Sequence, residues 1–267
     1  MARKTKMNNI TSPELISQIN PKNTELLNDF VEYLRSVQRS EDTIKGYIND
    51  LQIAFVWNLL YNNNTFYCDW TRRQIVKYQN WLLNDNQNSP ARVKRLKAAL
   101  SSLGNYIERI LDDEYPNFRN IINKIESPVN QPVREKTVFT EDQISGLLDR
   151  LTQQKKYDKA CALALALYSG RRKAELLRFR VSDFADDKLV CGGALYKTAP
   201  IKTKGRGAAG KQLECFCLAK QFKPYFDRWM DCREEKGVES IWLFPNKLNP
   251  SAQMPVSTLN SWAATFT

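Results

Sequence analysis

The residues best equipped for chemistry lie in Ser169-Gly170-Arg171-Arg172-Lys173-Ala174-Glu175. An apolar helical run ending Leu165-Ala166-Leu167-Tyr168 stops at the Ser-Gly break, two arginines follow at once, and a glutamate stands three residues after the second, opening an amphipathic helix. A guanidinium keeps its charge and offers paired donors in a planar fork, so an arginine fixed at a glycine-loosened turn suits an oxyanion such as a phosphate. Basic residues are also ordinary occupants of solvated turns, and the corner alone leaves both readings open. Two other basic groups stand out. Lys202, Lys204, Arg206 and Lys211 surround Gly205, Gly207 and Gly210, and Arg92, Lys94, Arg95 and Lys97 lie near the start of a helical pattern, where a phosphate also meets free backbone donors and the helix dipole.

Composition narrows the chemistry. The 267 residues contain no histidine, which excludes Ser-His-Asp, Cys-His and most histidine-based acid/base schemes. The six cysteines form no Cys-x-x-Cys pair, so no metal site and no cofactor is expected, and Cys215 and Cys217 read as one face of a strand turned to the core. Forty Lys and Arg against 29 acidic residues give a net charge of +11, which points to a polyanionic partner. Residues 1–130 carry a surplus of +3 and the remainder +8. No apolar run reaches the roughly 20 residues of a membrane helix, and the basic start is followed by polar residues, so the expectation is a cytoplasmic protein, associated with the nucleoid if bacterial, with no membrane partner.

The elements that must position these groups can be read in order. Residues 1–21 read as a mobile basic arm with a short helical candidate at 12–19. Helical patterns follow over 23–37, 40–61 and 71–84, and a fourth starts at Ser89-Pro90, with Val93, Leu96, Leu100 and Leu103 inward and the four basic residues near its start on the opposite face. A short helix is expected around 118–125. The proline-interrupted stretch 127–139 reads as a linker between a helical domain over 22–126 and a second domain over 140–267. The second domain opens with a helix capped at Thr140, continues through a helix over 155–169 to the arginine corner, and then changes to strands over 188–192, 195–202 and 212–218. Helices over 220–236 and from 257 complete it.

Taken together, these residues resemble a tyrosine recombinase of the phage-integrase type. The resemblance covers roughly residues 22–267, and its most specific piece is Ser169-Gly170-Arg171-Arg172-Lys173-Ala174-Glu175-Leu176-Leu177 followed by Ser182-Asp183; Thr43, Tyr47, Lys202-Thr203-Lys204 and Leu243-Phe244-Pro245 support it. It implies a mainly α fold with a small antiparallel β-sheet in the second domain: a helical, SAM-like core DNA-binding domain and the N-terminal part of an α+β integrase catalytic domain. It implies double-stranded DNA as partner, tetramers on paired sites, and strand cleavage and rejoining through a phosphotyrosine. Residue by residue, Arg172 would hold a non-bridging oxygen of the scissile phosphate, Glu175 would buttress it, and Lys202, with Lys204 as alternative, would protonate the departing 5′-hydroxyl. Arg92, Lys94, Arg95, Lys97, Arg171, Lys204 and Arg206 would contact DNA. The family's His-x-x-Arg motif, later His or Trp and nucleophilic Tyr have no counterpart here. The expectation is therefore a C-terminally truncated recombinase that binds DNA without cutting it. A catalytically degenerate DNA-binding protein occupying or regulating recombination sites is the alternative, and a helical adaptor for acidic proteins is a third reading.

Overall fold

Proline and polar caps set where the helices of the first unit begin. Ser12, Asn20, Ser40, Thr71 and Ser89 each accept a backbone N–H with the side chain, and Pro13, Pro21 and Pro90 occupy first helical positions, where a missing N–H costs nothing. The computed structural model describes residues 10–129, 138–205 and 210–263. The chain divides into two compact units, Met1–Lys136 and Thr137–Thr267. The first unit contains α1 (Pro13–Ser17), α2 (Pro21–Ser36), α3 (Glu41–Tyr61), α4 (Arg72–Asn80) and α5 (Pro90–Ile110). Their inward residues, among them Phe30, Leu51, Phe55, Trp57, Tyr78 and Leu100, form one core.

Three expectations for this unit are corrected. Ile19 is buried, Leu15 and Ile16 pack against the same core, and the Asn20 backbone N–H donates to the Asn64 carboxamide at 2.9 Å. Residues 10–20 are thus part of the helical unit and not an arm, because their apolar side chains have a core to enter; residues 1–9 lie outside the described residues. The helix expected over 71–84 leaves α geometry after Asn80 and continues as a wider π turn over Trp81–Asp85. The helix expected around 118–125 is reduced to one 3₁₀ turn, Ile122–Lys124. Of the expected linker, residues 130–137 lie outside the described residues.

The second unit runs α6 (Glu141–Gln153), α7 (Tyr157–Ser169), α8 (Lys173–Leu176), β1 (Leu189–Val190), β2 (Leu195–Lys197), β3 (Ile201–Thr203), β4 (Lys211–Leu213), β5 (Phe216–Leu218), α9 (Ala219–Glu235) and α10 (Val256–Ala263). The helix expected after Arg172 lasts one turn, Lys173–Leu176, and the buried Leu177 and Phe179 lie beyond it. Among the described residues the three expected strands are five short ones in two antiparallel sheets, ordered β1-β2-β5 and β3-β4. The long strand expected over 195–202 breaks at Pro200, which has no N–H for a ladder. The two halves of the hairpin stay continuous through the Thr198 N–H, which donates to the Cys215 carbonyl at 2.9 Å. Cys215 and Cys217 are both buried.

Phe184 lies at the centre of this core, its ring 4.7 Å from Phe222, 5.5 Å from Tyr196 and Phe226, and 5.6 Å from Phe179. Phe184→Ala is expected to lower unfolding free energy by about 3–5 kcal/mol in urea denaturation. A loss under about 1 kcal/mol would show that this cluster does not organise the unit.

Candidate active site and nucleic-acid interface

The corner between α7 and α8 is built by a glycine and a buried acid. Gly170 closes α7 in the left-handed conformation, φ 61° and ψ 20°, with its N–H on the Ala166 carbonyl at 3.1 Å; a residue without a Cβ takes this shape without strain. Arg172 then becomes extended and starts α8. Its backbone N–H donates to Glu175 Oε2 at 3.3 Å and its Nη1 to Oε1 at 3.5 Å. The Glu175 side chain is 4% exposed and that of Arg172 73% exposed. At that exposure the ion pair contributes no more than about 1 kcal/mol, so Glu175 fixes the base of Arg172 while the guanidinium stays open to solvent. Arg171 turns back, its Nε donating to the Ser169 carbonyl at 3.3 Å, and is half-buried. Burial pushes the Cys215 thiol up, while Arg171 draws it down and Glu175 raises it.

Two side chains downstream of the corner hold the hairpin. The buried Asp183 carboxylate accepts the Arg180 N–H at 2.7 Å and the Ala199 N–H at 3.0 Å, fixing the start of the β2–β3 bend. Arg178 donates through Nη1 to the Lys202 carbonyl. Lys202 is exposed on β3, paired in register with Gln212, and Lys204 is exposed just beyond the last pair, Thr203 with Lys211. A Cβ at Gly210 would stand 3.1 Å from Lys202 Cγ and 3.2 Å from Cε, so the lysine stem lies across that glycine. Arg206 lies outside the described residues. Sequence reading gave Arg178 no role; Asp183 stood within the motif, and an aspartate beside a buried Phe184 is a signal for such a backbone tether.

In the first unit the basic residues of α5 separate by angle. Lys94 is exposed. Arg92 Nη1 and Arg95 Nε meet opposite oxygens of the buried Asp50 on α3, at 2.7 and 2.9 Å. Lys97 is corrected: it is buried, and its ammonium donates to Gln79 Oε1 at 2.7 Å and to the carbonyls of Ile125 at 2.9 Å and Glu126 at 3.2 Å. Four residues after Val93 and three before Leu100, it shares the inward face of the helix, and three acceptors match its three N–H groups. Burial lowers its pKa. Tyr47 borders the same α3–α5 seam, its hydroxyl 3.3 Å from Ser102 Oγ.

Residues 26–117 match the family described as phage integrase, N-terminal SAM-like domain. The SPbeta prophage-derived recombinase-like protein YomM of Bacillus subtilis (strain 168) is 27% identical over 238 residues, covering 88% of this chain and 68% of that protein. Lambda integrase, solved as a tetramer bound to a Holliday junction, superposes with a TM-score of 0.61 at 14% identity over 97% of this chain and 71% of that one. The first unit thus matches a phage-integrase domain family, and the chain as a whole is similar to a recombinase-like protein and shares the fold of lambda integrase. The XerH recombinase, solved in a pre-cleavage complex with its difH substrate, has the same fold, with a TM-score of 0.60 at 14% identity over 92% of this chain and 80% of that one. The family match falls on the unit that carries Asp50, Arg92 and Arg95, and the arginine corner lies in the other. Among the described residues no group of His, Cys, Asp and Glu could hold a metal ion, and no helix is long and apolar enough to cross a membrane.

Lys97→Met leaves three acceptors without their donor. It is expected to cost about 1–3 kcal/mol of stability in urea unfolding, and to leave the salt dependence of duplex binding unchanged. A shallower salt slope with unaltered stability would return Lys97 to the phosphate-contacting face.

Proposed function

We propose that this protein is a recombinase that grips a phosphodiester of duplex DNA with Arg172, of the class that performs site-specific strand cleavage and rejoining. The observation that carries the reading is a guanidinium fixed at its backbone by buried Glu175 yet 73% exposed at its tip. Such a group meets a phosphate oxygen with little reorganisation, and it strengthens its hold as negative charge builds on a pentavalent phosphorus. In the reaction a tyrosine oxygen attacks phosphorus, the bond to the 5′-oxygen breaks, and that oxygen takes a proton from an ammonium; the bond energy is kept as a 3′-phosphotyrosine. Lys202 is the proposed proton donor, with Lys204 as alternative. Support for Lys202 comes from Arg178, which holds its carbonyl, from the Asp183 tether at nearby Ala199, and from Gly210, whose lack of a side chain leaves room for its stem.

The DNA-binding surfaces proposed are the start of α5, with Arg92, Lys94 and Arg95, and the corner and hairpin residues Arg171, Lys204 and Arg206. Residues 22–126 would act as the core DNA-binding domain, and 140–267 would belong to the catalytic domain. Lambda integrase was solved as a tetramer on a Holliday junction, and a tetramer on paired sites is the assembly proposed here. The 267 residues contain no histidine and no tyrosine after Tyr225. Tyr225 is half-buried on α9 with its hydroxyl pushed up by burial, a poor nucleophile. Residues 1–267 alone are therefore proposed to bind DNA without breaking it.

Binding to a short duplex of arbitrary sequence, followed by fluorescence anisotropy between about 50 and 200 mM salt, should weaken steeply as counterion release predicts. Incubation with a nicked duplex should leave no protein–DNA adduct on a denaturing gel. Affinity indifferent to salt would favour the adaptor for acidic proteins, and a covalent adduct would overturn the inactivity of these residues.

A further inference from the structure

Asp50 is a charged side chain that the proposed chemistry does not use, and its surroundings are unusual. It lies on α3 with its carboxylate 5% exposed. A carboxylate so buried needs compensation, and it receives two guanidiniums from the neighbouring helix: Arg92 through Nη1 on Oδ1 at 2.7 Å and Arg95 through Nε on Oδ2 at 2.9 Å. The two arginines are three residues apart on α5 and so share one face. Their own exposure is much higher, 35% for Arg92 and 59% for Arg95. The acid is inside and the cationic ends are outside, so the cluster presents positive charge to solvent.

One turn earlier on the same face of α3 stands Gly46. A Cβ there would lie 2.7 Å from Arg95 Nη2, closer than any side chain tolerates, so the glycine leaves the space the guanidinium occupies. Successive turns of α3 thus supply an acceptor and a gap for one arginine. A bond at Nε ties one edge of that guanidinium to Asp50 while the side chain stays 59% exposed. A long arginine free in water loses considerable rotamer freedom when it closes on a ligand; one already held by its inner edge loses less. The two arginines sit just after Ser89 and Pro90, which begin α5, where the helix dipole also favours an anion.

We infer that Asp50 is a positioning residue that holds Arg92 and Arg95 as a paired grip for DNA phosphates, with Gly46 providing the room. The inference rests on the reading of the α5 start as a DNA-binding surface. It makes an unexpected demand: removing a negative charge from a DNA-binding face should weaken binding.

The test is a double-mutant cycle on a short duplex of arbitrary sequence at fixed salt, with a thermal melt of each protein. Asp50→Asn is expected to weaken binding several-fold in the wild-type background and to change it little when Arg92→Ala and Arg95→Ala are present. Gly46→Ala puts a better helix former on α3 and touches no charge, yet it too is expected to weaken binding, because it displaces Arg95. Tighter or unchanged binding by Asp50→Asn would overturn the inference, leaving Asp50 a charge neutraliser. So would an equal loss in both backgrounds with a lowered melt, which would leave it a tie between α3 and α5. Failure of the DNA reading itself shows separately, as Arg92→Ala/Arg95→Ala with unchanged affinity and salt slope.

Discussion

Glu175 has almost no access to water, and its charge is tolerable only because the Arg172 backbone N–H and guanidinium both face it. That constraint shapes the corner. The chain must leave α7 through a left-handed Gly170, become extended at Arg172, and re-enter a helix at once so that the carboxylate can reach back. Leu176 ends the turn, and Leu177 and Phe179 enter the core immediately afterwards. An exposed cation on a base this rigid follows from packing beneath it, not from strong pairing at its tip. The first unit repeats the device with different parts, as Asp50 lies buried under Arg92 and Arg95.

The hairpin is held by the same economy of backbone tethers. Asp183 joins the segment after the corner to the bend at Ala199, and Arg178 reaches the Lys202 carbonyl. The position of the β3 lysine is thereby linked to the corner through bonds that cannot slip by one residue without breaking both. Beneath them the aromatic cluster around Phe184 fixes α9 and β2 against the segment that carries Asp183. Stability and site geometry in this unit rest on adjacent residues of one short turn, Val181–Phe184.

What could be read from the chain was whatever is written locally. Ser40, Ser89-Pro90 and Thr140 announced their helices because capping involves residues three apart, and the Ser-Gly-x-Arg-x-x-Glu spacing announced the corner for the same reason. What escaped depends on distant partners. Lys97 was grouped with its charged neighbours, although its place between Val93 and Leu100 on the helical wheel marks it as inward; that a lysine could be buried there required Gln79, Ile125 and Glu126 to converge. The break in the long strand was signalled by Pro200 but overridden by the alternation around it. Asp50 and Arg95 are 45 residues apart in sequence, and nothing local in either predicts that one seats the other. Gly46 carries meaning only once Arg95 is above it.

The central claim is that an open guanidinium on a buried carboxylate is built to meet a phosphate. A crystal structure of these residues on a short duplex tests it most directly. The account predicts a phosphate oxygen about 2.7–2.9 Å from an Arg172 Nη atom, with the Arg172 N–H still on Glu175. Duplex bound elsewhere, with the Arg172 guanidinium facing only water, would contradict it.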